Sequence, residues 1–382
     1  MKGTAEIAGG GIAGLAAGVA LAQRGWRVRV HEQDEALRIL GAGIYIWENG
    51  LKVLEALGLY DAVTAGALPV LRRERRDRSN ALIGAEPFGG PGARLYVPLR
   101  ATLLHALADG LARAGGEIVF GSRIASAEAN GVARFADGRT AQADLVIGAD
   151  GVGSPVRDSL GLLKWRRPAD QYGYRIMIQR RPEELMTQAG ASICEHWNGS
   201  RRLLYAPATA DLAYVQLTSV KGDASAGAAY NRDAWLETFP HLDWIIDRIP
   251  ADGRGDWFEW VRLHGWSKGA VAVLGDAATA QPPFLGQGGG LAMMMALSLA
   301  CHLEAASSVE AGLAAWEARE KRFCQWIQQV SYSYGRLALA PEWYRMLALK
   351  ALSASDVLKR NTVRAAAMRE PTGTPGAPAV AQ

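Results

Sequence analysis

The first thirty residues combine short apolar runs and glycines in an order typical of a strand, a turn, a helix and a second strand. Glu6-Ile7-Ala8 predicts a short strand, and the small apolar residues from Ile12 to Arg24 predict a helix that Gly25 ends. Arg27 to Glu32 predicts the next strand. Such an order within about 30 residues is the start of a βαβ unit.

The following hundred residues continue to alternate helix and strand patterns. Leucines at helical spacing predict a helix from Ala101 to Ala114, and Glu117 to Phe120 predicts a strand. The turn Asp137-Gly138 lies between the strand patterns Val132–Phe135 and Asp144–Ile147, which predicts a hairpin.

A second sheet is predicted between Gln171 and about Arg262, where the chain becomes rich in aromatic residues and arginine. Its strand patterns are Tyr174–Ile178, Arg202–Tyr205 and Leu212–Leu217. Val271 to Leu274 then predicts a return to a buried parallel strand. We therefore expect one domain to hold both the first glycine turn and Val271–Leu274, with the second sheet inserted between them.

The end of the chain is predicted to be helical and then irregular. Apolar spacing indicates helices from Gly289 to about Leu358. The tail from Arg369 to Gln382 contains three prolines, a composition that predicts disorder.

Composition and charge exclude several classes of protein. Of the 382 residues, 49% are hydrophobic and 21% are charged, so the chain is neither disordered nor fibrous. A net charge of +4 is too mild to indicate nucleic-acid binding, though it is compatible with anionic substrates. The cysteines Cys194, Cys301 and Cys324 form no pair or metal motif. Together with the lack of a signal-peptide pattern or a membrane-length apolar run, this predicts a cytoplasmic protein that binds no membrane.

The first motif with chemical meaning is Gly9-x-Gly11-x-x-Gly14. Gly9 permits a tight turn, Gly11 lets the backbone approach a pyrophosphate, and Gly14 lets the helix pack on the strand. Glu32 ends the next strand, where an acid accepts ribose hydroxyls and disfavours a 2′-phosphate. The motif therefore predicts FAD or NAD, and the alternative is a purely structural turn.

Two later motifs extend this hypothesis. Gly275-Asp276-Ala277-Ala278 and the run Pro283 to Gly290 would place a carboxylate near a ribityl hydroxyl and a glycine-rich helix start near a flavin ring. The alternative is a flexible loop that caps a core helix. Gly148 to Arg157 also reads as a strand end and a helix capped by Ser154, with Pro155 in the first turn.

Taken in this order, the three motifs resemble those of the single-component FAD-dependent aromatic hydroxylases, which share the p-hydroxybenzoate hydroxylase fold. The resemblance covers roughly residues 5 to 335. Gly41-Ala42-Gly43-Ile44-Tyr45-Ile46-Trp47, followed by Asn49-Gly50-Leu51, is similar to the branch acting on hydroxypyridine carboxylates. That branch includes 2-methyl-3-hydroxypyridine-5-carboxylate oxygenase and, more distantly, 6-hydroxynicotinate monooxygenase.

The resemblance implies an α/β fold with an α+β insert. A Rossmann-like FAD-binding domain would comprise residues 1–70, 92–170 and 265–335. An antiparallel-sheet substrate domain would comprise residues 71–91 and 171–264. A C-terminal helical segment, 336–368, and a disordered tail, 369–382, would follow.

The resemblance also implies which residues bind non-covalent FAD. Glu32 matches the acid on the adenosine ribose, and Asp276 matches the acid on the ribityl chain. Asp150, with Gly151, matches a fingerprint that serves FAD and the nicotinamide donor. The full set of cofactor-binding candidates is Gly9, Gly11, Ile12, Ala13, Gly14, Glu32, Arg38, Gly43, Arg100, Ile124, Asp150, Asp276, Gly286, Gln287, Gly288 and Gly289.

For the substrate, the resemblance points to the inserted sheet. Arg175, Arg202 and Tyr214 match positions that line the pyridine-carboxylate pocket, and the forked donors of arginine suit a carboxylate. The alternative for them is exposed arginines and a core tyrosine. Tyr205 and His196 are further candidates, although a lone histidine is more often structural.

The run Arg72 to Arg78 carries five arginines and is read in two ways. It predicts either a solvated charged strand or a strand from which one arginine, Arg73, contacts the substrate. Departures from the family pattern lie nearer the flavin, where Thr279 replaces a frequent histidine. Gly290, Met294 and Met295 replace a frequent asparagine and two acids, so local hydrogen bonding must differ.

The activity implied is NAD(P)H- and O2-dependent hydroxylation of an electron-rich hydroxylated pyridine carboxylate through a flavin hydroperoxide, with no metal. Pro283 would lie beside the reactive edge of the flavin, while Arg202 and Tyr214 hold the substrate. Ring opening, the choice of NADH or NADPH, the general base and a monomeric or homodimeric state stay open. A flavin oxidase or dehydrogenase without oxygen insertion, and a non-catalytic flavoprotein, are the competing hypotheses.

Overall fold

The structure is a computed structural model that describes residues 2–39, 43–88, 92–185, 189–227, 229–360 and 369–377. In chain order, its strands are β1 (Thr4–Ala8), β2 (Arg27–His31), β3 (Ile46–Trp47), β4 (Arg72–Arg76), β5 (Leu82–Pro87), β6 (Leu95–Tyr96), β7 (Glu117–Val119), β8 (Ile124–Ala127), β9 (Val132–Phe135), β10 (Thr140–Gln142), β11 (Leu145–Gly148), β12 (Leu163–Gln179), β13 (Ser192–Asn198), β14 (Arg201–Pro207), β15 (Leu212–Val220), β16 (Arg254–Leu263), β17 (Ser267–Lys268) and β18 (Val271–Val273).

Helices connect and cover these strands. In chain order they are α1 (Ile12–Ala22), α2 (Glu48–Ala56), α3 (Tyr60–Thr64), α4 (Arg100–Arg113), α5 (Pro155–Ser159), α6 (Pro182–Leu185), α7 (Arg232–Thr238), α8 (Asp243–Ile246), α9 (Asp276–Thr279), α10 (Gly288–Ala305), α11 (Val309–Gly335), α12 (Glu342–Ala354) and α13 (Asp356–Arg360).

The first sheet has the strand order β17-β18-β11-β1-β2-β7 and is parallel except for β17. Its central strands are buried on both faces, because α1 and the other helices cover them. Helix α1 approaches β1 closely at Gly14, where a Cβ atom would lie 2.0 Å from the Gly9 carbonyl oxygen. Only glycine fits there, which explains the third glycine of the motif.

The second sheet has the order β16-β12-β15-β14-β13-β4-β5 and is antiparallel except for the β13–β4 pair. Alternate side chains point to opposite faces. One face packs on α7 and α8 through a core that includes Tyr174, Leu203 and Val215. The other face looks towards the first sheet and bears Arg73, Glu195, Arg202, Tyr214 and Arg175.

Helix α10 runs through the centre of the molecule, between α1 and α11. By length and composition it could cross a membrane, yet 78% of the helix is buried inside the protein. It begins at Gly288 with no acidic residue in its first turn. The helix therefore directs the positive end of its dipole at the region between the two sheets.

The predicted α/β architecture with an inserted sheet is confirmed, and two local predictions are wrong. The hairpin partner of β9 is β10, whereas β11 belongs to the parallel sheet. The tail is ordered from Arg369 to Ala377, because Arg369 pairs with the buried Glu320 at 2.9 Å and Thr372 is 4% exposed. The remainder of the predicted tail, 378–382, lies outside the described residues.

Candidate cofactor cleft and substrate pocket

A cavity of about 440 Å³ lies where the carboxyl ends of the parallel strands face the second sheet. The ends of β1, β2, β11 and β18 carry Gly9, Glu32, Asp150 and Asp276 to the same edge of the first sheet. In open α/β sheets, ligands bind in the crevice outside the carboxyl ends of the strands. The cavity also has a size typical of ligand sites, about 300–1,000 Å³.

The glycine turn at the end of β1 forms one wall of this cavity. Gly9 has a φ of 102°, so the turn uses the left-handed region that favours glycine. Ile12 opens α1 with no acidic residue in the first turn, which leaves its N–H groups available to an anion. A Cβ atom built on Gly11 would meet nothing within 4 Å. Gly11, Ile12 and Ala13 line the cavity.

Glu32 lies directly beside the glycine turn. Its Oε2 atom accepts a hydrogen bond from the Gly10 N–H at 2.8 Å, and Oε1 accepts one from the Asp34 N–H at 3.1 Å. The Ser122 N–H donates to the Glu32 carbonyl at 2.8 Å, which brings the start of β8, with Ile124, to the same corner. Arg38 is instead half-exposed, pairs with Asp34 at 2.9 Å and does not line the cavity.

Two acids and one arginine meet further along the cleft. The Asp276 carboxylate opens into the cavity, whose walls desolvate it and raise its pKa despite the nearby Arg100. Burial also raises the pKa of Asp150, whose Oδ2 accepts from the Val156 N–H at 3.2 Å. Burial lowers the pKa of Arg100.

The start of α10 forms the wall towards the second sheet. Pro283, Gly286, Gly288 and Gly289 line the cavity, and the space beside Gly288 is open. Gly286 has a φ of 62°, and a Cβ atom there would lie 2.5 Å from the Tyr45 ring. The ring of Tyr45 therefore packs directly on this loop.

The departures from the family pattern are accommodated by local contacts. The Thr279 hydroxyl donates to the Gly275 carbonyl at 2.9 Å. The Asn49 amide donates to Gln287 Oε1 at 3.1 Å and lies 3.1 Å from the Met294 sulfur. Asn49, which lies on α2, thus anchors the loop that precedes α10, a role that the sequence pattern alone did not reveal.

The cleft fits a dinucleotide cofactor. Several buried polar atoms around it have no hydrogen-bond partner within the described chain: Arg100 Nε, Asp150 Oδ1, Gln281 Oε1 and Gln287 Nε2. Buried polar groups are normally paired, so these atoms indicate a missing polar ligand. Together with the open glycine faces at both helix starts, they match the phosphates, sugar and ring of FAD.

A smaller cavity of about 10 Å³ adjoins the cleft inside the second sheet. Tyr45 lines both cavities and connects them. The walls of the small cavity are mostly aromatic and aliphatic, and its charged members are two arginines and one glutamate. Its lining is Tyr45, Trp47, Arg73, Ile193, Glu195, Arg202, Leu204, Phe284 and Leu285.

The charged members belong to a buried ion network. Glu195 is fully buried, and its carboxylate accepts from Arg73 Nε at 2.6 Å, from Arg202 Nε at 3.2 Å and from the Tyr334 hydroxyl at 3.0 Å. Burial would raise the pKa of Glu195, but Arg202, Arg73 and Arg75 outweigh it and hold the carboxyl ionised.

Arg75 extends the network to a second acid, Glu86, with Nη1 and Oε1 3.0 Å apart. Three guanidiniums therefore face two carboxylates, which leaves one surplus positive charge. Arg202 Nη1 is buried without a partner in the described chain, as is the Tyr45 hydroxyl. These are the donors that remain for a substrate.

Arg175 and Tyr214 line the large cavity rather than the small one. Arg175 forms an ion pair with Asp256. The Tyr214 hydroxyl donates to Gln216 Oε1 at 3.0 Å, and its ring meets that of Tyr45 edge-on at 5.9 Å. Burial raises the pKa of Tyr214 to about 12, so its hydroxyl stays protonated at neutral pH.

Two sequence-based expectations about the second sheet are corrected by strand geometry. Tyr205 and His196 lie on the opposite face from the cavities: the Tyr205 hydroxyl donates to Glu184 at 2.5 Å, and His196 packs on Phe239 and His241. They therefore contact no ligand in either cavity. Of the two interpretations of the charged strand β4, the structure favours the one that places Arg73 at the pocket, since Arg73 is 4% exposed and lines the small cavity.

Comparison with known proteins agrees with the assignment of the cleft to FAD. Residues 3–330 match the family model described as FAD binding domain. The 2-heptyl-3-hydroxy-4(1H)-quinolone synthase of Mycobacteroides abscessus is 40% identical over 93% of this chain and 96% of that protein. The 6-hydroxynicotinate 3-monooxygenase of Pseudomonas fluorescens is 28% identical over 88% of this chain and 93% of its own.

A solved structure gives a similar result. The tetrameric form of 2-methyl-3-hydroxypyridine-5-carboxylic acid oxygenase superposes with a TM-score of 0.86. It is 35% identical and covers 96% of each chain.

Proposed function

We propose a substrate class from the premise that this chain belongs to the FAD-binding-domain family and is an FAD-dependent aromatic monooxygenase. The proposed reaction is hydroxylation of a 4(1H)-quinolone ring that carries an apolar substituent. When bound and reduced by NADH or NADPH, FAD would supply the chemistry that transfers one atom of O2 to this ring and releases the other as water. The similarity to a quinolone synthase, at 40% identity over nearly the whole chain, supports this choice.

The observation that carries the proposal is that the arginines of the second sheet already form ion pairs within the protein. Arg202 and Arg73 share Glu195, and Arg175 is paired with Asp256. A substrate carboxylate there would lie against Glu195 and Asp256, which already pair with these cations. A neutral ring with one carbonyl oxygen needs only one donor, which Arg202 Nη1 or the Tyr45 hydroxyl would supply. The aromatic and aliphatic side chains around that donor would contact the ring, for which the small cavity of about 10 Å³ must widen into the large one beside Tyr45.

Each residue then has a specific role. Arg202 Nη1 would donate to the ring carbonyl oxygen, and this bond strengthens as negative charge develops on that oxygen. The Tyr45 hydroxyl would orient the ring as a protonated donor, and the Tyr214 hydroxyl, which donates to Gln216, would offer the ring an acceptor. Phe284 and Trp47 would exclude water, and Pro283 would bound the flavin edge.

Along the cleft, each group of residues would hold a different part of FAD. The α1 start and Gly11 would bind the pyrophosphate, Glu32 the adenosine ribose, and Asp276 with Arg100 the ribityl and phosphate region. The glycines at the α10 start would contact the ring. Ile124 would offer its backbone to the adenine, and Gly43 lines the cleft between the two cavities.

A hydroxypyridine carboxylate is the second candidate, with or without ring opening. The surplus positive charge among Arg73, Arg75 and Arg202 favours an anion. The 35% identity to 2-methyl-3-hydroxypyridine-5-carboxylic acid oxygenase supports the same candidate.

A substrate panel separates the two candidates. The purified holoenzyme would be assayed for NADH and NADPH oxidation with 2-heptyl-4(1H)-quinolone, 6-hydroxynicotinate and 2-methyl-3-hydroxypyridine-5-carboxylate. We expect the quinolone to give the highest kcat/KM and a product that keeps its aromatic absorbance. Turnover with the pyridine carboxylates alone would refute the quinolone proposal, and loss of aromatic absorbance would indicate ring opening.

Assembly and location are further parts of the proposal. A self-associated state, the homodimer or a higher form, is supported by the relative that is described as tetrameric. A cytoplasmic location is supported by three cysteines that are buried as free thiols.

A further inference from the structure

Helix α12 presents an apolar face to solvent. Six of the eleven exposed large hydrophobic residues in the described chain fall within residues 339–358. Trp343 is 71% exposed and Leu347, one turn later, is 61% exposed, while Tyr344 is 49% exposed beside them. A contiguous exposed apolar patch of this kind marks an interaction site.

The inner face of the same helix is firmly attached. Leu349 is fully buried, and the Arg345 guanidinium donates to the Gly199 carbonyl at 2.8 Å. Ser353 lies so close to Gly84 of β5 that a Cβ atom on Gly84 would be 2.1 Å from the Ser353 Cβ. The outer face is therefore held rigidly in place, so little conformational entropy is lost when a partner binds it.

We infer that this face, Trp343 with Tyr344, Leu347 and Lys350, is the contact through which a second copy of this chain docks. The inference rests on the proposed self-association and names its surface. Trp343, Leu347 and Lys350 are spaced three or four residues apart and share one stripe of the helix.

Charge along the helix favours pairing with itself. The start of α12 carries the half-exposed Glu342, which lies 3.6 Å from Arg78 of its own chain, and the exposed stripe ends near Lys350. In a two-fold contact, each residue i that meets residue j is matched by j meeting i. Two antiparallel copies of α12 thus set Glu342 of each against Lys350 of the other, around a centre of Trp343 and Leu347. Trp343 is the residue type most enriched at interface centres.

The test is the mass of the full-length holoenzyme in solution by light scattering and sedimentation over a range of concentrations. Wild type should be an oligomer, and Leu347→Glu should shift it towards the monomer. Leu71→Glu is the matched control, because Leu71 is 50% exposed on a different part of the surface. Trp343→Ala should weaken association by about 30-fold or more, as for an interface hot spot of about 2 kcal/mol.

Charge reversal tests the antiparallel geometry. Lys350→Glu and Glu342→Lys should each weaken association, and the double variant should restore it. FAD content is measured on every variant, so misfolding is recognised separately, and none of these masses depends on which substrate the enzyme accepts. A monomeric wild type, or an oligomer that Leu347→Glu and Leu71→Glu leave equally intact, would overturn the inference. In the first case, sedimentation with anionic phosphatidylglycerol vesicles would assign the face to a membrane instead.

Discussion

Replacing Glu195 by glutamine changes the charge of the buried network and leaves the side-chain volume almost unchanged. Glu195 is fully buried and accepts hydrogen bonds from Arg73, Arg202 and Tyr334. The substitution removes the negative charge that holds two guanidiniums and adds amide hydrogens that face donors. The surplus of buried positive charge rises from one to two.

The size of the effect follows from burial. Removing one partner of a buried ion pair costs about 3–5 kcal/mol of unfolding free energy. Glutamine retains one oxygen as an acceptor, so we expect about 3 kcal/mol, at the low end of that range. Because it adds one surplus positive charge, the same substitution should tighten the binding of an anionic substrate. The binding of a neutral quinolone should stay unchanged or become weaker.

The assay is urea unfolding of the holoenzyme, followed by tryptophan fluorescence. Glu128→Gln is the matched control, because Glu128 and its partner Arg134 are both about half-exposed. A surface pair of this kind contributes at most about 1 kcal/mol. If Glu195→Gln were destabilised no more than this control, the account of the buried network would be wrong.

Three further predictions concern the cofactor, pH and the tail. Glu32→Ala should raise the Kd for FAD by about 10- to 100-fold, because one charged hydrogen bond to the cofactor is lost. Flavin-fluorescence titrations measure this Kd, and Glu35→Ala, at an exposed neighbouring position, is the control that should change it little. Burial lowers the pKa of His196 to about 3, so the unfolded chain takes up its proton first. Wild type should therefore lose about 1.6 kcal/mol of stability from this residue between pH 6.5 and 5, a loss that His196→Phe removes in urea titrations at both pH values. Deleting the chain from Arg369 onward should destabilise the protein by about 3 kcal/mol in the same titrations, because the buried Glu320 loses its cation. An unchanged urea midpoint of unfolding would show that the tail contributes nothing to stability.

The cofactor cleft could be predicted from the sequence because parallel strands end at one edge. Gly9, Glu32 and Asp276 each follow a strand pattern, so placing those strands in one domain was enough to bring them together. The strand before Asp150 was predicted as half of a hairpin, and only its motif pointed to the cleft. Nothing about side-chain contacts was needed. Arg38 lies in a loop, where sequence position gives no information on side-chain direction, and in the structure it pairs with Asp34.

The substrate pocket could be predicted only in part. Arg202 and Tyr205 are three positions apart on one strand, so period-two alternation already puts them on opposite faces, a rule that the motif-based assignment overlooked. The pairing of Arg73 with Glu195 joins residues 122 apart in sequence, and only the β4–β13 register reveals it. The tail was expected to be disordered from its prolines, yet Arg369 has a buried acid to bind.

The most direct test of the central claim follows the oxygen atom. The holoenzyme would be incubated with 2-heptyl-4(1H)-quinolone, reduced nicotinamide nucleotide and oxygen-18-labelled O2, and the product examined by mass spectrometry. We predict a product with an intact ring that has gained one labelled oxygen atom. A product without label would contradict the account and identify a flavin oxidase or dehydrogenase instead.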